Sequence, residues 1–184
     1  MSTDFWSNPN FEPKRAFRFL IEFTPGAGGT DLDSAGNSLQ FLAKSVDRPS
    51  YTVSSNAHSF FNHTFHYPGR VTWSTINLTL VDAVSPNASD IFMKYLGNIG
   101  YNNPADINAA TGRTITKQTA TEAMGRLLIK EMGTSPDGTA EPKGEWNLMN
   151  AFITEVSFGS HAYDSEDMID ITLTIQYDWA NYSA

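Results

Sequence analysis

The chain has 184 residues and carries 12 Lys and Arg against 20 Asp and Glu, which gives a formal net charge of −8. This length fits one domain. The acidic balance argues against a protein that grips nucleic acid, because such proteins draw affinity from basic side chains that neutralise phosphates. The absence of cysteine excludes disulfides, thiolate metal sites and cysteine nucleophiles.

Only 17% of the residues are charged, which is below the roughly 25% usual for soluble domains. A surface with so little charge indicates that part of it is covered, and self-association is the simplest cover. A monomer rich in Ser, Thr and Asn is the alternative interpretation.

The first half of the chain alternates between apolar and polar residues in several stretches, which predicts β-strands. Residues 16–23 and 39–46 are predicted as the first two strands. Residues 50–81 are predicted as a long pair of strands with a polar outer half and a turn at Pro68–Gly69.

The second half combines one helix signal with two strongly alternating stretches. Residues 87–99 follow helix-start residues and place their apolar side chains on one stripe, which predicts an α-helix. Residues 146–158 and 169–179 are predicted as strands, and 169–179 is predicted to pair with 151–158 as a hairpin. The polar stretch 101–144 is predicted as a partly flexible insertion between core strands, in which Met124, Leu127, Leu128 and Ile129 belong either to a short helix or to a strand. At least six strands and one helix favour a mainly antiparallel β-sandwich or barrel of two packed sheets with one flanking α-helix.

Three histidines, His58, His63 and His66, lie close together in the predicted strand pair. Residues 63 and 66 fall on opposite faces of a strand, since side chains alternate with a period of two. Shared ligation of a metal is therefore disfavoured. We interpret these residues as surface or interface histidines.

Two other polar stretches lack the spacing that a site needs. The Gly-rich stretch 26–30 lacks the Gly-Lys-Ser/Thr ending and the helix of a phosphate loop, so we assign it to a flexible loop over 24–37. The carboxylates of residues 164–170 lack the EF-hand spacing and are interpreted as solvated. No Gly-X-Ser-X-Gly nucleophile motif occurs. The sequence therefore predicts no enzyme, with no catalytic residue, metal or cofactor.

Four blocks of sequence carry a resemblance to a known family: RAFRFLIEF at 15–23, LQFLAKSVDRP at 39–49, YPGRVTWSTINLTLVD at 67–82 and WNLMNAFITEV at 146–156. Their order and spacing resemble the tail-tube proteins of contractile-tailed phages and the related inner-tube proteins of extracellular contractile injection systems. The resemblance covers residues 14–99 and 145–180. Two departures are Ile153, where proline is common in the family, and residues 101–144, which have no clear counterpart.

The resemblance implies a single tail-tube domain over 1–184, with an N-terminal segment at 1–13, a core at 14–99 and 145–180, and the insertion at 101–144. It implies a structural virion protein of the phage tail, made in the cytoplasm of the bacterial host. Six subunits would form a ring, and each would contribute strands to a continuous β-barrel around a channel for DNA ejection. A tube-initiator protein of the baseplate, a tube terminator and the inner tube of an injection particle are the alternatives.

The resemblance also implies partners and surfaces. The implied partners are further copies of the chain, the tail sheath protein, and baseplate and tail-terminator proteins, without membrane contact. Tape measure protein and DNA would pass through the lumen without specific binding. Stacking through an extended hairpin makes four residues the predicted ring-stacking or subunit interface: Phe61, His63, Phe65 and Tyr67. The polar face of the last predicted strand, Asp170, Thr172, Thr174 and Gln176, is predicted either to line the channel or to face the sheath.

Overall fold

The computed structural model describes residues 13–24, 39–40, 42–101, 114–135 and 139–184. Ten strands and two complete helices lie within these ranges. The strands are β1 (Phe19–Thr24), β2 (Ala43–Val46), β3 (Tyr51–Phe60), β4 (His63–Trp73), β5 (Ile76–Val81), β6 (Arg126–Thr134), β7 (Ala140–Met149), β8 (Phe152–Ser157), β9 (Asp170–Gln176) and β10 (Trp179–Ser183). The helices are α1 (Ala88–Asn98) and α2 (Lys117–Met124).

The strands form two four-stranded sheets and a separate hairpin. Sheet 1 has the order β1-β6-β7-β10, sheet 2 has the order β2-β5-β9-β8, and β3 pairs with β4. Every neighbouring pair of strands is antiparallel. The predicted mainly antiparallel fold of two sheets is therefore confirmed, and α2 adds a second helix to the single one expected.

Alternating apolar residues from both sheets meet in one hydrophobic core. Sheet 1 contributes Ile21, Leu127, Ile129 and Leu148, and sheet 2 contributes Ile76, Leu78, Leu80, Ile171, Leu173 and Ile175. Helix α1 packs on this core through Ile91, Phe92 and Tyr95. It begins at the predicted place, because the Asn87 side chain accepts a hydrogen bond from the backbone N–H of Asp90 at 2.9 Å.

The prediction of an insertion is wrong for the described part of 101–144. Helix α2, strand β6 and the first half of β7 lie there, and β6 is an inner strand of sheet 1. Leu127 and Ile129 are buried, but Leu128 between them is also apolar and only half-buried. Three consecutive apolar residues therefore conceal the alternation of apolar and polar side chains by which a strand is recognised in a sequence. Residues 102–113 and 136–138 lie outside the described residues.

Several predicted boundaries also move. Leu39, Gln40 and Leu42 are helical, so the second strand starts only at Ala43. The hairpin turns at Phe61–Asn62, whereas Pro68–Gly69 lies inside β4. Phe61 adopts a left-handed conformation with φ 52° to make that turn. The predicted loop 24–37, with its Gly-rich stretch, and the segment 1–12 lie outside the described residues, apart from Thr24, which ends β1.

The two long C-terminal stretches each divide between the sheets. The stretch 146–158 breaks at Asn150, whose φ of 55° reverses the chain between β7 and β8. The stretch 169–179 ends sheet 2 at Gln176, and Trp179 starts β10 in sheet 1. The predicted pairing of 151–158 with 169–179 is confirmed as the antiparallel pair β8–β9.

Candidate assembly surfaces

The hairpin of β3 and β4 projects from the domain with both faces open. Within the described ranges these strands pair only with each other, and every residue from Tyr51 to Thr72 is exposed. The four predicted interface residues all lie in this hairpin, and Phe61 at its tip is 90% exposed. His63 and Phe65 pack edge-to-face with ring centroids 4.7 Å apart. An isolated two-stranded ribbon is marginal in water, so this one needs an additional contact surface.

The composition of the hairpin is unlike that of a solvated surface. Residues 49–69 contain no Asp, Glu, Lys or Arg, although they include aromatic side chains and three histidines. Exposed strands normally carry charges that prevent association along their edges. An exposed segment with aromatic side chains and no charged side chain is typical of a protein–protein contact.

The root of the hairpin is fixed to both sheets. The Trp73 ring packs at a tilt against the rings of Tyr51 and Tyr177, with centroid separations of 5.2 and 5.9 Å. The Asp47 carboxylate accepts hydrogen bonds from the backbone and side-chain nitrogens of Asn77 at 3.1 and 3.0 Å. These contacts set the direction in which the ribbon leaves the domain.

A half-buried carboxylate, Glu131 of β6, anchors the same root to sheet 1. It forms ion pairs with Lys14 and, at 2.8 Å, with Arg48, which precedes β3. It also accepts hydrogen bonds of 3.4 Å from the indole N–H of Trp146 and the hydroxyl of Tyr182. Sequence reasoning missed this cluster because its members are far apart in the chain and follow no motif.

The electrostatics of this cluster favour charged side chains. Burial by itself would raise the pKa of Glu131, but the hydrogen bond from Lys14 and the positive charges of Arg48 and Lys14 outweigh it. The pKa of Glu131 therefore lies below its ordinary value of 4.5. The hydrogen bond to Glu131, followed by that to Tyr182, raises the pKa of Lys14 above 10.5.

The predicted channel-lining residues share the outer face of sheet 2. Their side chains alternate with the buried residues Ile171, Leu173 and Ile175 of β9, so Asp170, Thr172, Thr174 and Gln176 point away from the core. The neighbouring strand adds Asn77 and Thr79 opposite Thr174 and Thr172. The Thr174 hydroxyl donates to the Asn77 side chain at 3.2 Å. This face therefore consists largely of neutral hydroxyl and amide groups.

Asp170 is the charged member of the four, and Lys44 of β2 pairs with it at 2.5 Å. The other carboxylates of the predicted solvated cluster lie in the connection between β8 and β9, and all are exposed. Among the residues that the structure describes, no group of three or more His, Cys, Asp or Glu side chains is placed to hold a metal ion. Within the same residues, none of the helices has the length and hydropathy of a membrane span.

Sheet 2 ends in two short strands that pair on one side only within the described part of the chain, β2 and β8. At the start of β8, the Tyr95 hydroxyl accepts a hydrogen bond from the Ile153 N–H at 3.3 Å and donates to the Ala120 carbonyl at 3.4 Å. A groove of about 760 Å³ runs beside β8, and sequence reasoning missed it. Its apolar lining includes Phe92, Leu96, Ile99, Phe152, Val156 and Phe158.

No protein-family model and no curated protein matches this sequence. Solved structures do match it along almost its whole length. One is a chain of the 6-fold symmetrised cryo-EM structure of the anti-feeding prophage baseplate, with a TM-score of 0.62, 14% identity, and coverage of 94% of this chain and 97% of the other. The chain has the fold of contractile-particle tube and cap proteins.

Two further matches give the same result. A chain from the tube-terminating cap of the anti-feeding prophage has a TM-score of 0.60 and 18% identity, with coverage of 100% of this chain and 99% of the other. A chain from the extended sheath–tube complex of an extracellular contractile injection system has a TM-score of 0.54 and 20% identity, with coverage of 94% and 92%. The resemblance read from the four sequence blocks is thus confirmed at the level of the fold.

Proposed function

We propose that this protein is a non-enzymatic tube subunit of a contractile tail, which forms hexameric rings that stack around a channel. The observation that carries the proposal is the exposed β3–β4 hairpin, whose residues 49–69 contain no Asp, Glu, Lys or Arg, on a domain with the fold of tube and cap proteins. Such a hairpin is suited to contact between copies, and Phe61, His63, Phe65 and Tyr67 are its proposed contact residues.

The two open edges of sheet 2 support ring formation. Strand direction alternates across β2, β5, β9 and β8, so β8 runs opposite to β2. When copies are related by rotation about a common axis, β8 of one copy meets β2 of the next in antiparallel orientation. Six copies of a four-stranded sheet would close a barrel of 24 strands, and barrels of 16 strands or more leave an aqueous channel.

The outer face of sheet 2 would then line this channel. Its hydroxyl and amide side chains, together with the Glu155 carboxylate and with Asp170 paired to Lys44, do not favour phosphate binding on the described part of this face. A wall of this kind suits DNA ejection and passage of tape measure protein without specific binding. The proposed setting is the virion tail, with sheath, baseplate and terminator proteins as partners.

Electron microscopy of the purified protein tests the proposal. Negative-stain images should show tubes built of stacked rings. Replacing Phe65 with Asp should prevent stacking, because the contact would then bury an unpaired carboxylate. The same change should alter the stability of the isolated subunit by only about 0.5 kcal/mol, because Phe65 is exposed there.

Val84→Asp is the matched control, since Val84 is 97% exposed but lies outside the hairpin. This variant should form tubes as the wild type does. Wild-type protein that stays monomeric would contradict the proposal, and tubes from Phe65→Asp would contradict the hairpin assignment.

A cap or terminator role is the second candidate, and the likeness to a chain of the anti-feeding prophage cap favours it. A protein with this role would end a tube and would not extend it. Purified protein that closes into single rings at every concentration would support this candidate, whereas continuous tubes support the shaft subunit.

A further inference from the structure

The pairing register of the hairpin is interrupted in the middle of the ribbon. Val53 pairs with Val71, but Ser55 pairs with Pro68, so Ser54 stands opposite two residues, Gly69 and Arg70. This is a β-bulge, with the extra residue in β4. The Ser54 hydroxyl stabilises it by accepting a hydrogen bond from the Arg70 N–H at 2.8 Å.

Gly69 is suited to this bulge because its backbone lies close to β3. A Cβ atom at Gly69 would lie 2.3 Å from the Ser54 hydroxyl oxygen and 3.2 Å from the Ser54 carbonyl oxygen. Any other residue would therefore displace Ser54. The sequence accordingly contains both the residue that permits the bulge and the side chain that bonds to it.

The bulge places the apolar residues of the hairpin on two opposite faces. In the inner half, Tyr51, Val53, Val71 and Trp73 share one face, which we call the front face. If β4 paired regularly through Gly69 and Arg70, its odd-numbered side chains would continue along this face to the tip. Because the bulge takes up one residue of β4, Tyr67, Phe65 and His63 lie instead on the opposite, back face, paired with Asn56, His58 and Phe60.

The side-chain contacts agree with this division. Tyr51 packs against Trp73 at the front of the inner half, and His63 packs edge-to-face against Phe65 at the back of the outer half. The front of the outer half carries small polar contacts, such as Ser59 Oγ to Thr64 Oγ1 at 3.3 Å. Each half of the ribbon therefore has one apolar face and one polar face, in opposite orientations.

The composition of the hairpin points to a second copy of the chain as the occupant of these faces. Every copy carries a net charge of −8, so two copies repel unless they meet through uncharged surfaces. Residues 49–69 provide such a surface, since they contain no Asp, Glu, Lys or Arg. A basic partner would instead be recognised through carboxylates, which this segment lacks.

We propose that the hairpin is a two-sided connector that contacts two different copies of the chain. The front face of the inner half binds one copy through Tyr51, Val53 and Val71. The back face of the outer half binds another copy through Phe60, Phe65 and Tyr67. The bulge at Gly69–Arg70 sets this change of face, and the proposal rests on the proposed self-assembly.

Cysteine labelling can test the change of face directly, because the natural chain has no cysteine. Four single variants are needed: Thr52→Cys, Val53→Cys, Asn56→Cys and Ala57→Cys. Each position is exposed in the subunit, so a maleimide dye should label all four variants before they assemble. In tubes verified by microscopy, Val53→Cys and Asn56→Cys should lose labelling, while Thr52→Cys and Ala57→Cys should remain reactive.

Protection of Val53→Cys together with Ala57→Cys would overturn the proposal, because both would then lie on one continuous contact face. Uniform protection, or none, would overturn it as well. If the wild-type protein forms no tubes, the proposed function itself fails, so the two failures are distinguishable.

Two variants that lengthen β3 or shorten β4 by one residue distinguish the position of the apolar face from the presence of the bulge. Inserting one Ser after Ser54 gives Gly69 a partner and brings the outer aromatic side chains to the front face. Deleting Gly69 also removes the bulge but leaves every side chain on its present face. The insertion should abolish tube formation and the deletion should retain it. Tubes from the insertion variant, or loss of tubes in both variants, would overturn the proposal.

Discussion

At the residue scale, Glu131 joins parts of the chain that are distant in sequence. Its carboxylate binds Lys14 before β1 and Arg48 before β3. Gly144 lies directly opposite Glu131 in the β6–β7 pair, and a Cβ atom there would lie 2.1 Å from the Tyr182 hydroxyl. The small residue thus leaves the space in which the ion pairs form. The cluster holds the root of the proposed contact hairpin against sheet 1.

The first prediction concerns the pH dependence that Glu131 gives to folding. Its pKa is lowered in the folded protein, so its stabilising contribution is present above the ordinary value of 4.5 and is lost as the pH falls through the lower, folded value. Glu131→Gln should lower the free energy of unfolding at pH 7 by about 1–2 kcal/mol. The difference in free energy of unfolding between wild type and variant should become smaller below pH 4.5, because the Glu131 carboxylate is then increasingly protonated. Urea denaturation of assembly-deficient Phe65→Asp subunits at several pH values measures both effects.

Glu141→Gln serves as the control for this measurement. Glu141 is paired with Lys143, but its side chain is 41% exposed, against 13% for Glu131. Exposed ion pairs contribute little, so this control should change stability by less than about 0.5 kcal/mol. The prediction is contradicted if the free energies of unfolding of Glu131→Gln and wild type differ by the same amount from pH 7 to pH 3. The charge at residue 131 would then not be what stabilises the cluster.

At the scale of elements, the sequence was informative where one face of an element is buried. The alternation in 169–176 predicted β9, and the apolar stripe with Asn87 at its start predicted α1. Sequence alone did not decide between a short helix and a strand for the start of β6, because Leu128 interrupts the two-residue period with a half-buried apolar side chain. Local patterns carry no information about which sheet a strand joins, so the passage from β9 to β10 was also missed.

Some features of the candidate assembly surfaces were recognisable from the sequence and others were not. The aromatic residues of the hairpin and the polar face of β9 were recognisable, because both follow from the two-residue period of a strand. The bulge was not recognisable, since Pro68–Gly69 is also the signal for a turn. A turn at that position would have removed the outer half of the ribbon, whereas the bulge keeps the ribbon long and rotates its apolar face.

The second prediction concerns Tyr95, which connects three elements. Its hydroxyl accepts from Ile153 at the start of β8 and donates to Ala120 of α2, at 3.3 and 3.4 Å. Tyr95→Phe should leave the Ile153 N–H without a partner and reduce the free energy of unfolding by about 1–3 kcal/mol. Denaturation of assembly-deficient subunits measures this. Tyr101→Phe, at an exposed site near the same helix, should have no effect, and equal stability of Tyr95→Phe and wild type would contradict the assigned bridge.

At the scale of the whole molecule, charge and shape act together. A net charge of −8 on each copy opposes assembly at low ionic strength. The uncharged segment 49–69 of the hairpin reduces that repulsion where copies would stack. The open strands of sheet 2 instead offer backbone hydrogen bonds for contacts within a ring. The two kinds of contact are therefore separable by mutation.

The last prediction concerns the contact within a ring. If β8 of one copy lies beside β2 of the next, a variant with Ser45→Cys and Ser157→Cys should form disulfides between copies. Both residues are exposed on the edge strands of sheet 2, and disulfides form only when the Cβ atoms lie about 4 Å apart. A second pair, Ser45→Cys with Glu155→Cys, tests a register shifted by two residues, because Glu155 and Ser157 lie on the same face of β8. Oxidation should give a ladder of covalent oligomers on denaturing gels that ends at the hexamer.

The control combines Ser45→Cys with Asn181→Cys, which is also exposed but lies on the edge strand of sheet 1. It should give no ladder. Adding Phe65→Asp to the Ser45–Ser157 pair should leave the ladder unchanged, because stacking is not needed to close a ring. A ladder from the control pair alone would place sheet 1 at the contact between neighbours, and sheet 2 could then not form the wall of the channel.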